Sequence, residues 1–399
     1  MLYFVTTVKE KLTLMFQDRE VLVFEVDYGK CNIRILQKKE HFDLAPYGVN
    51  DPEEGGLALL RFFNGRAIPS TRVDYEKIMK AFGTKSGFEL SFQGHGLSLS
   101  NHYWFQREGE HLRYDDISFF RNGWDDSFAR AVLSRDYEAL GKCDLNVPDI
   151  VTPGWGVKGW LSEERPRLYK LGIDEEHPEE AICEVLASRI GRRLLGEKAV
   201  LPYELREVHG RFASTSETIV GPGEELIPMS AILPQDLIAL YQNKENRKEF
   251  SKEFFLSLAR SGKKDLYEFF VKVYCLRSIC FVSDLHTDNL CAIRNVETGQ
   301  IRPAPIMDLG GAFGSTKSGR ALIENANKGT LILIYFIFSN LDPDWDYSWY
   351  DPHCLDGAEE EIEEYLSKSA FYTPEIIRCA LDIYHQQKKT LDKMKKGAH

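Results

Sequence analysis

The chain has 399 residues, of which 43% are apolar and 12% aromatic, and its formal net charge at pH 7 is -11. This apolar content can bury a large core in two or three domains, which excludes a disordered or fibrous chain. The acidic balance argues against a protein whose main surface binds nucleic acid, because such surfaces neutralise phosphates with Lys and Arg. We therefore expect no direct nucleic-acid binding.

The first 94 residues predict a small N-terminal α/β subdomain. Apolar and polar residues alternate from residue 1 to about 45, which predicts an antiparallel hairpin or small sheet. Helices are expected near 56–64 and 75–82. An aromatic and acidic stretch, from about 90 to 145, links this subdomain to the next.

A glycine turn between strands follows. Residues 149–161 are typical of a strand, a glycine turn and a second strand, and 167–172 of a partner strand. Backbone amides of such a turn, which contains Gly154 and Gly156, can approach phosphates closely. The sequence therefore predicts a phosphate-binding loop here.

Cationic and acidic side chains follow in the order that a nucleotide site needs. Lys170, in the middle of the partner strand, is the candidate phosphate-contacting lysine, and Lys158 of the loop is a second cation. A helix is predicted over 179–195, and Glu180 or Glu184 is the candidate partner of Lys170. The alternative is that all these side chains are simply solvated. A P-loop NTPase is disfavoured because the chain has no GxxxxGK[ST] run.

The second half of the chain predicts mostly helix. Strands near 203–209 and 212–214 precede Gly221-Pro222-Gly223, which marks the crossover to this helical region. Apolar residues at helical spacing predict a buried helix over 264–281. The apolar run 331–338 predicts a buried central helix, since it is far shorter than the ~20 residues that span a bilayer.

Two further helices are expected, one from about residue 359 and one from Pro374 to about Lys393. The eight cysteines include no CxxC pair, and the N-terminus does not look like a signal peptide. These features predict reduced thiols in a cytoplasmic protein that does not enter a membrane.

Asp284, Asn289 and Asp308 form the most informative pattern in the chain. Residues 284–289 read Asp-Leu-His-Thr-Asp-Asn, and Asp308 begins Asp-Leu-Gly-Gly. A phosphotransferase needs a carboxylate that orients and deprotonates the attacking hydroxyl, and amide and carboxylate oxygens that hold nucleotide-bound magnesium. A strand from 290, a turn at 295–299 and a returning strand to 307 would bring Asp308 back beside Asn289.

Other interpretations of this pattern stay open on spacing alone. Asp and Asn also cap helices and make turns, so the motif could be an ordinary loop at a helix end. His286 and Asp288 could form a metal cluster with Asp284, although a histidine that braces the loop is the preferred interpretation. Magnesium takes one or two protein carboxylates plus phosphates, a requirement that Asn289 and Asp308 fit.

Taken in order, these motifs resemble those of HipA-like serine/threonine protein kinases, the toxin kinases of bacterial toxin–antitoxin pairs. The matching features are Gly154-x-x-x-Lys158, Lys170, the helix segment Glu-x-x-Cys-x-x-Leu-Ala at 180–187, Asp-x-His-x-x-Asn at 284–289, and Asp308. The segments 64–72, 96–104 and 119–122 resemble a subgroup of these proteins with an N-terminal extension.

The resemblance implies an α+β fold: a bilobal protein-kinase-like fold with a small N-terminal α/β subdomain, a sheet-rich N-lobe and a helical C-lobe. The expected boundaries are 1–94, 95–220 and 221–399. It also implies ATP and Mg as cofactors, a protein substrate with a Ser or Thr acceptor, and an antitoxin as candidate partner.

The resemblance assigns roles by position. Asp284 is the catalytic base, Asn289 and Asp308 bind magnesium, and Lys170 contacts the phosphates. The other residues expected at the cofactor are Thr152, Gly154, Trp155, Gly156, Lys158, Glu180, Glu217, Thr218, Ile219 and His286, of which 217–219 form the hinge that holds adenine.

The loop departs from the family pattern. Many HipA-like kinases carry an autophosphorylated serine three residues before the loop glycine, where this chain has Val151 with Thr152 next to it. The loop also contains the bulky Trp155 and lacks a glutamine that many relatives have. Two alternatives remain: a lipid or small-molecule kinase with a related catalytic loop, and a kinase-fold binding module without turnover.

Overall fold

The computed structural model describes residues 9–172, 179–242, 247–316, 323 and 345–397. The chain divides into two compact units. Unit 1 contains residues up to 173 together with 217–226 and 293–301, and unit 2 contains 174–216, 227–292 and the chain from 302 onward. The predicted division at 94 and 220, and the predicted bilobal arrangement, stay predictions.

Unit 1 begins with an antiparallel sheet of four strands. Its strands are β1 (Lys9–Phe16), β2 (Arg19–Asp27), β3 (Asn32–Lys38) and β4 (Tyr103–Arg107), in the order β3-β2-β1-β4. The turn between β1 and β2 is tight, with Phe16 paired to Arg19 and with Gln17 at a φ of 52°. The predicted N-terminal sheet is thus confirmed for the described residues.

Aromatic side chains form the core of this part of unit 1. Helix α1 (Gly55–Asn64) places Phe63 against Phe24 and Phe92, with ring centroids 5.3 and 4.9 Å away. Phe92 in turn lies 5.2 Å from Phe105 of β4. Aromatic pairs at such distances contribute about 0.5–1.5 kcal/mol each beyond their buried area. The helices α2 (Tyr75–Phe82) and α3 (Gly87–Ser91) follow, and α1 and α2 confirm the two predicted helices.

The rest of unit 1 contains α4 (Tyr114–Ile117), α5 (Ser127–Ser134) and the antiparallel hairpin of β5 (Val157–Leu161) and β6 (Arg167–Gly172). The strand predicted at 149–151 is wrong, because Pro148–Val151 forms a 3-10 helix. Pro148 suits the first turn of a helix, and the Thr152 hydroxyl closes that turn by donating to the Pro148 carbonyl at 2.8 Å.

Three short strands, β9 (Glu224–Pro228), β10 (Cys291–Asn295) and β11 (Ile301–Pro303), form a sheet with β10 in the middle. The strand predicted to run to residue 307 ends at Pro303. Pro303 and Pro305 have no N–H for a sheet ladder, so the chain leaves the sheet there. Ile306 instead makes an isolated parallel bridge with Val200.

Unit 2 begins with α6 (Glu179–Leu195) and the strands β7 (Glu204–Val208) and β8 (Arg211–Glu217), whose last residue belongs to unit 1. His209 and Gly210 join β7 to β8 with φ values of 51° and 72°. Positive φ at both turn residues is typical of the hairpin turns that match strand twist. The two predicted strands are therefore confirmed.

Helices make up most of the remaining described part of unit 2. They are α7 (Met229–Ile232), α8 (Gln235–Gln242), α9 (Arg247–Arg260), α10 (Lys264–Ile279), α11 (Ala358–Leu366) and α12 (Pro374–Gly397). Helix α10 lies in the core, where Phe270, Leu276 and Ile279 are fully buried. This confirms the predicted buried helix, whereas the helix predicted at 331–338 lies outside the described residues.

All eight cysteines are free thiols. Within the described residues, no helix combines the length and the apolar character needed to cross a bilayer. The chain as described is a mixture of helices and antiparallel sheets, as expected for the α+β class.

Phe63→Ala should lower the free energy of unfolding of the protein by about 3–5 kcal/mol, because it leaves a cavity among four aromatic rings. The matched control is Leu57→Ala on the same helix, whose side chain is 47% exposed and should change stability by no more than about 0.5 kcal/mol. Urea unfolding followed by tryptophan fluorescence measures both. Equal effects of the two substitutions would contradict the packing described for α1.

Candidate functional site

The segment from Cys280 to Leu290 is held rigidly after α10. The N–H of Val282 donates to the Arg277 carbonyl of α10 at 3.0 Å, and the N–H of Phe313 donates to the Cys280 carbonyl at 3.0 Å. The buried Tyr241 hydroxyl donates to the Leu285 carbonyl at 2.8 Å. These bonds fix the backbone on both sides of Asp284.

Hydrogen bonds inside the segment give Asn289 a defined orientation. The carbonyl of Asp284 accepts the N–H of His286 at 2.8 Å and the side-chain amide nitrogen of Asn289 at 3.0 Å. Because only the amide nitrogen can donate to a carbonyl, the Asn289 Oδ1 atom is assigned without ambiguity. It is the oxygen of this side chain that can bind a metal ion.

The Asp-Leu-Gly-Gly segment packs directly against Asp284. A Cβ atom placed on Gly311 would overlap the Asp284 carboxylate, so only glycine allows this approach. The N–H and the hydroxyl of Ser283 both lie 3.1 Å from the Gly311 carbonyl and donate to it. The two sequence motifs of the predicted catalytic site are therefore neighbours in unit 2.

Asp308 begins this segment in a left-handed conformation, with a φ of 59°. Asp tolerates this region better than bulky residues do, and the N–H of Asp308 donates to the Tyr203 hydroxyl at 3.3 Å. Burial, with a smaller effect from the negative charges of Asp308 and Asp288, raises the pKa of the Cys291 thiol to about 12. Two carboxylates thus lie near the start of β10.

The acidic groups suit a metal ion that arrives with its phosphates. Among the described residues, no group of three or more His, Cys, Asp and Glu could hold a metal ion by itself, so the alternative cluster of Asp284, His286 and Asp288 is not formed. The His286 Nδ1 atom instead accepts the N–H of Asp288 at 3.3 Å. Asn289 and Asp308 fit magnesium, which keeps waters and takes few protein ligands.

The glutamates of α6 contact other parts of unit 2 rather than only solvent. Glu179 and Glu184 are buried and accept the hydroxyls of Ser369 and Ser214, respectively. A Cβ atom on Gly310 would lie 3.8 Å from the Glu180 Cβ atom, so Glu180 lies beside the Asp-Leu-Gly-Gly segment. The solvated alternative is wrong for Glu184. The predicted pairing of Lys170 with Glu180 or Glu184 stays a prediction.

The glycine loop of unit 1 contains a close contact of its own. Gly154 has a φ of 114°, and a Cβ atom there would overlap the ammonium of Lys158. Glycine is the residue that adopts such angles and permits this approach. A Cβ atom on Gly156 would lie 3.2 Å from the Gly172 carbonyl oxygen, which is a tight contact without overlap. Trp155 at the tip of the loop is 63% exposed.

Lys158 and Lys170 are direct partners in the register of the β5–β6 hairpin. Paired residues of an antiparallel hairpin project from the same face, so the two predicted phosphate-binding cations lie side by side. The face of the β5–β6 hairpin that carries both cations is therefore the candidate phosphate-binding surface.

Thr152 and the predicted hinge residues are held by specific bonds. The Thr152 hydroxyl donates to the Pro148 carbonyl and accepts the Trp160 indole N–H at 3.1 Å. Glu217 accepts Arg165 and Arg167 at 3.3 and 2.9 Å. Thr218 donates to the Leu99 carbonyl at 2.7 Å, and Ile219 is half-buried.

Several residues around the site carried no sequence signal that singled them out. Tyr203 reaches Asp308 from 105 positions away, and Ser230 of α7 donates to the Asp288 carboxylate. Only Ser283 had a local clue, because it directly precedes Asp284. The others are brought to the site by tertiary packing.

Asp149, predicted as part of a strand, is a buried carboxyl at the base of the glycine loop. Its Oδ1 accepts the backbone N–H of Trp160 at 2.9 Å, and its buried Oδ2 has no hydrogen-bond partner among the residues that the structure describes. Burial raises the pKa of Asp149 to about 7, although the Trp160 N–H opposes the shift. Below pH 7 the folded protein therefore holds this proton more tightly than the unfolded chain does.

The contribution of Asp149 to the free energy of unfolding should fall as pH rises from about 4 to about 7. In this window the folded protein keeps the Asp149 proton that the unfolded chain releases, with a slope of up to about 1.4 kcal/mol per pH unit. Asp149→Asn should flatten this profile, and Asp116→Asn, at an exposed position, should leave it unchanged. Urea unfolding across pH 4–8 measures the slopes; equal slopes for wild type and Asp149→Asn would contradict the assignment.

No protein-family model matches the chain, and no curated protein sequence matches it. The fold is similar to that of Shewanella oneidensis HipA, solved in complex with HipB and operator DNA, with a TM-score of 0.52 and 11% identity over 96% of this chain and 99% of that one. The Helicobacter pylori proinflammatory kinase CtkA matches 60% of this chain and 93% of its own, with a TM-score of 0.37 and 14% identity. The chain has a HipA-like kinase fold.

Proposed function

We propose that this protein is an ATP- and magnesium-dependent kinase that phosphorylates serine or threonine in a protein of the bacterial cytoplasm. The observation that carries this proposal is the approach of the Asp284 carboxylate to Gly311, with Asn289 bonded to the Asp284 carbonyl. These two contacts bring the Asp284 carboxylate, the Asn289 side chain and the segment that begins at Asp308 together within unit 2. These are the groups that phosphoryl transfer requires.

Each group has one chemical task. Asp284 orients the acceptor hydroxyl and takes its proton as the hydroxyl oxygen bonds to the terminal phosphorus and the bridging oxygen leaves with ADP. The Asn289 Oδ1 atom and the Asp308 carboxylate hold the magnesium ion. When bound, this ion neutralises charge on the phosphate oxygens.

Within unit 1, we assign the phosphate-binding cations and the hinge. Lys158 and Lys170 bind phosphate oxygens from one face of their hairpin, and residues 217–219 hold the adenine. Transfer then depends on positioning and on charge neutralisation rather than on covalent chemistry by the protein. The structure of S. oneidensis HipA contains HipB, and on that likeness we propose an antitoxin as partner. The absence of direct nucleic-acid binding remains a prediction.

Asp284→Asn should lower the rate of phosphoryl transfer at least about 100-fold, because the amide cannot accept the hydroxyl proton, while nucleotide affinity changes little. Incubating each protein with cell lysate and labelled ATP, followed by mass spectrometry of phosphopeptides, measures the rate and identifies the acceptor. Label in lipid or in a small molecule would replace the protein-kinase proposal with one of the alternatives. Absence of transfer, with tight partner binding, would indicate a binding module.

Asp308→Ala should abolish magnesium-dependent nucleotide binding, because it removes the carboxylate that holds the ion. Calorimetric titration with ATP in the presence and absence of magnesium measures the effect. Binding by the variant that is as tight and as magnesium-dependent as in the wild type would contradict the metal assignment.

The adjacent glycines provide a matched pair of substitutions. Gly311→Ala should lower the transfer rate by about 100-fold or more, because the new methyl group displaces the Asp284 carboxylate. Gly310→Ala places its methyl group at ordinary contact distance and should keep most of the activity. Neither glycine has a positive φ, so backbone strain does not separate them. Equal losses of activity would contradict the proposed contact.

A further inference from the structure

Segments 64–74 and 96–104 contain the sequence motifs that the phosphoryl-transfer proposal leaves unused. Both lie in unit 1, and both make hydrogen bonds to the segments that we assign to ATP. We propose that these segments act as a clamp that positions the glycine loop and the hinge, with Arg72 and His102 as positioning residues. This inference rests on the proposed function of the site.

The 96–104 segment holds the chain on both sides of Gly221. The Thr218 hydroxyl donates to the Leu99 carbonyl at 2.7 Å, and the N–H of Leu226 donates to the Ser100 carbonyl at 2.9 Å. Between them, the His102 Nε2 atom donates to the Gly221 carbonyl at 2.8 Å. Three bonds to a single segment therefore hold the hinge and the chain that follows it.

The His102 ring is itself oriented from the other side. Its Nε2 atom faces a carbonyl and must carry the hydrogen, so Nδ1 is the acceptor of the Tyr114 hydroxyl at 2.6 Å. The ring centroid lies 4.4 Å from that of Phe120. His102 is 4% exposed, and burial lowers its pKa, which favours the neutral ring. One tautomer and one orientation are thus selected.

The 64–74 segment holds the glycine loop. Arg72 donates to the Lys158 carbonyl at 3.0 Å, and the N–H of Val73 donates to the Trp155 carbonyl at 3.1 Å. Arg72 is positioned by a buried ion pair with Asp74 at 2.7 Å, in which the two side chains are 1% and 2% exposed. The planar guanidinium can serve both acceptors at once, which an ammonium cannot do in the same geometry.

These contacts have a direct electrostatic consequence. A carbonyl oxygen that faces a phosphate repels it, whereas an N–H attracts it. Val73 and Arg72 of the clamp donate hydrogen bonds to the carbonyls of residues 155 and 158. These bonds keep the two carbonyl oxygens from turning toward a bound phosphate. The loop is therefore organised for an anion before ATP binds, and less ordering is required on binding.

Two substitutions test the clamp without touching residues assigned to ATP. His102→Phe removes both ring nitrogens and keeps an aromatic ring beside Phe120. Arg72→Lys keeps the positive charge beside Asp74 but loses the planar guanidinium group that donates to two acceptors. The control is His95→Phe in the same unit, whose ring nitrogens lie 3.1 Å from Asn146 and 3.5 Å from Glu110. None of these three side chains contacts a substrate in our assignment.

Each clamp variant should raise the Kd and the KM for ATP about fivefold, the effect of one lost hydrogen bond, and leave the rate at saturating ATP close to that of the wild type. His95→Phe should leave Kd and KM unchanged. Calorimetry and steady-state kinetics on variants that melt cooperatively provide these values. Unchanged ATP affinity in folded His102→Phe and Arg72→Lys would overturn the inference.

Hydrogen exchange in the unaltered protein gives a test that does not depend on the variants folding. Binding of ATP should slow exchange at two N–H groups that join the clamp to the chain beside it. The N–H of Val73 donates from the clamp to the Trp155 carbonyl, and the N–H of Leu226 donates to the Ser100 carbonyl of the clamp. Unchanged exchange at both, under saturating ATP, would overturn the inference even though ATP binds. A wild-type protein that binds no ATP would instead overturn the proposed function, and the clamp assignment with it.

Discussion

The contact between the Asp284 carboxylate and the Cα atom of Gly311 is the constraint on which the site in unit 2 depends. It requires α10 to end at the right place, the β10–β11 turn to return the chain, and residue 311 to have no side chain. Ser283 then secures the contact through two bonds to a single carbonyl. The backbone beside Asp284 is consequently fixed against the segment that contains Gly311.

Sequence reasoning succeeded where a local pattern determines a local structure. Helical spacing predicted α10, and the strands predicted near 203–209 and 212–214 are present on either side of the two-residue His209-Gly210 turn. It failed at 149–151, where Pro148 and the Thr152 hydroxyl favour a 3-10 turn over the strand that β-branched residues suggested. It failed again at 304–307, because two prolines remove the N–H groups of a strand that hydrophobicity alone would extend.

The site was predictable to the extent that its residues carry functional groups. The side-chain types of Asp284, Asn289 and Asp308 indicate their chemistry, so the sequence could predict that their two segments lie together, as the contact of Asp284 with Gly311 shows. Tyr203 and Ser230 could not be found, because a hydroxyl far away in sequence has no pattern that links it to a carboxylate. Contacts made by backbone are harder still, since the carbonyls of Leu99 and Ser100 are present whatever the residue type.

Contacts made by backbone groups leave no pattern of side chains, and for this reason the N-terminal motifs could not be given a function from the sequence. Segments 64–74 and 96–104 act mainly through carbonyl and N–H groups, and only Arg72 and His102 add side-chain donors. A segment with this task must keep its backbone path, which selects glycines, prolines and buried aromatics rather than catalytic side chains. The sequence of such a segment therefore carries no catalytic motif, even when the segment makes hydrogen bonds to the residues that we assign to ATP. The burial of the Arg72–Asp74 pair follows the same logic, because a guanidinium that must not move needs a partner that solvent cannot replace.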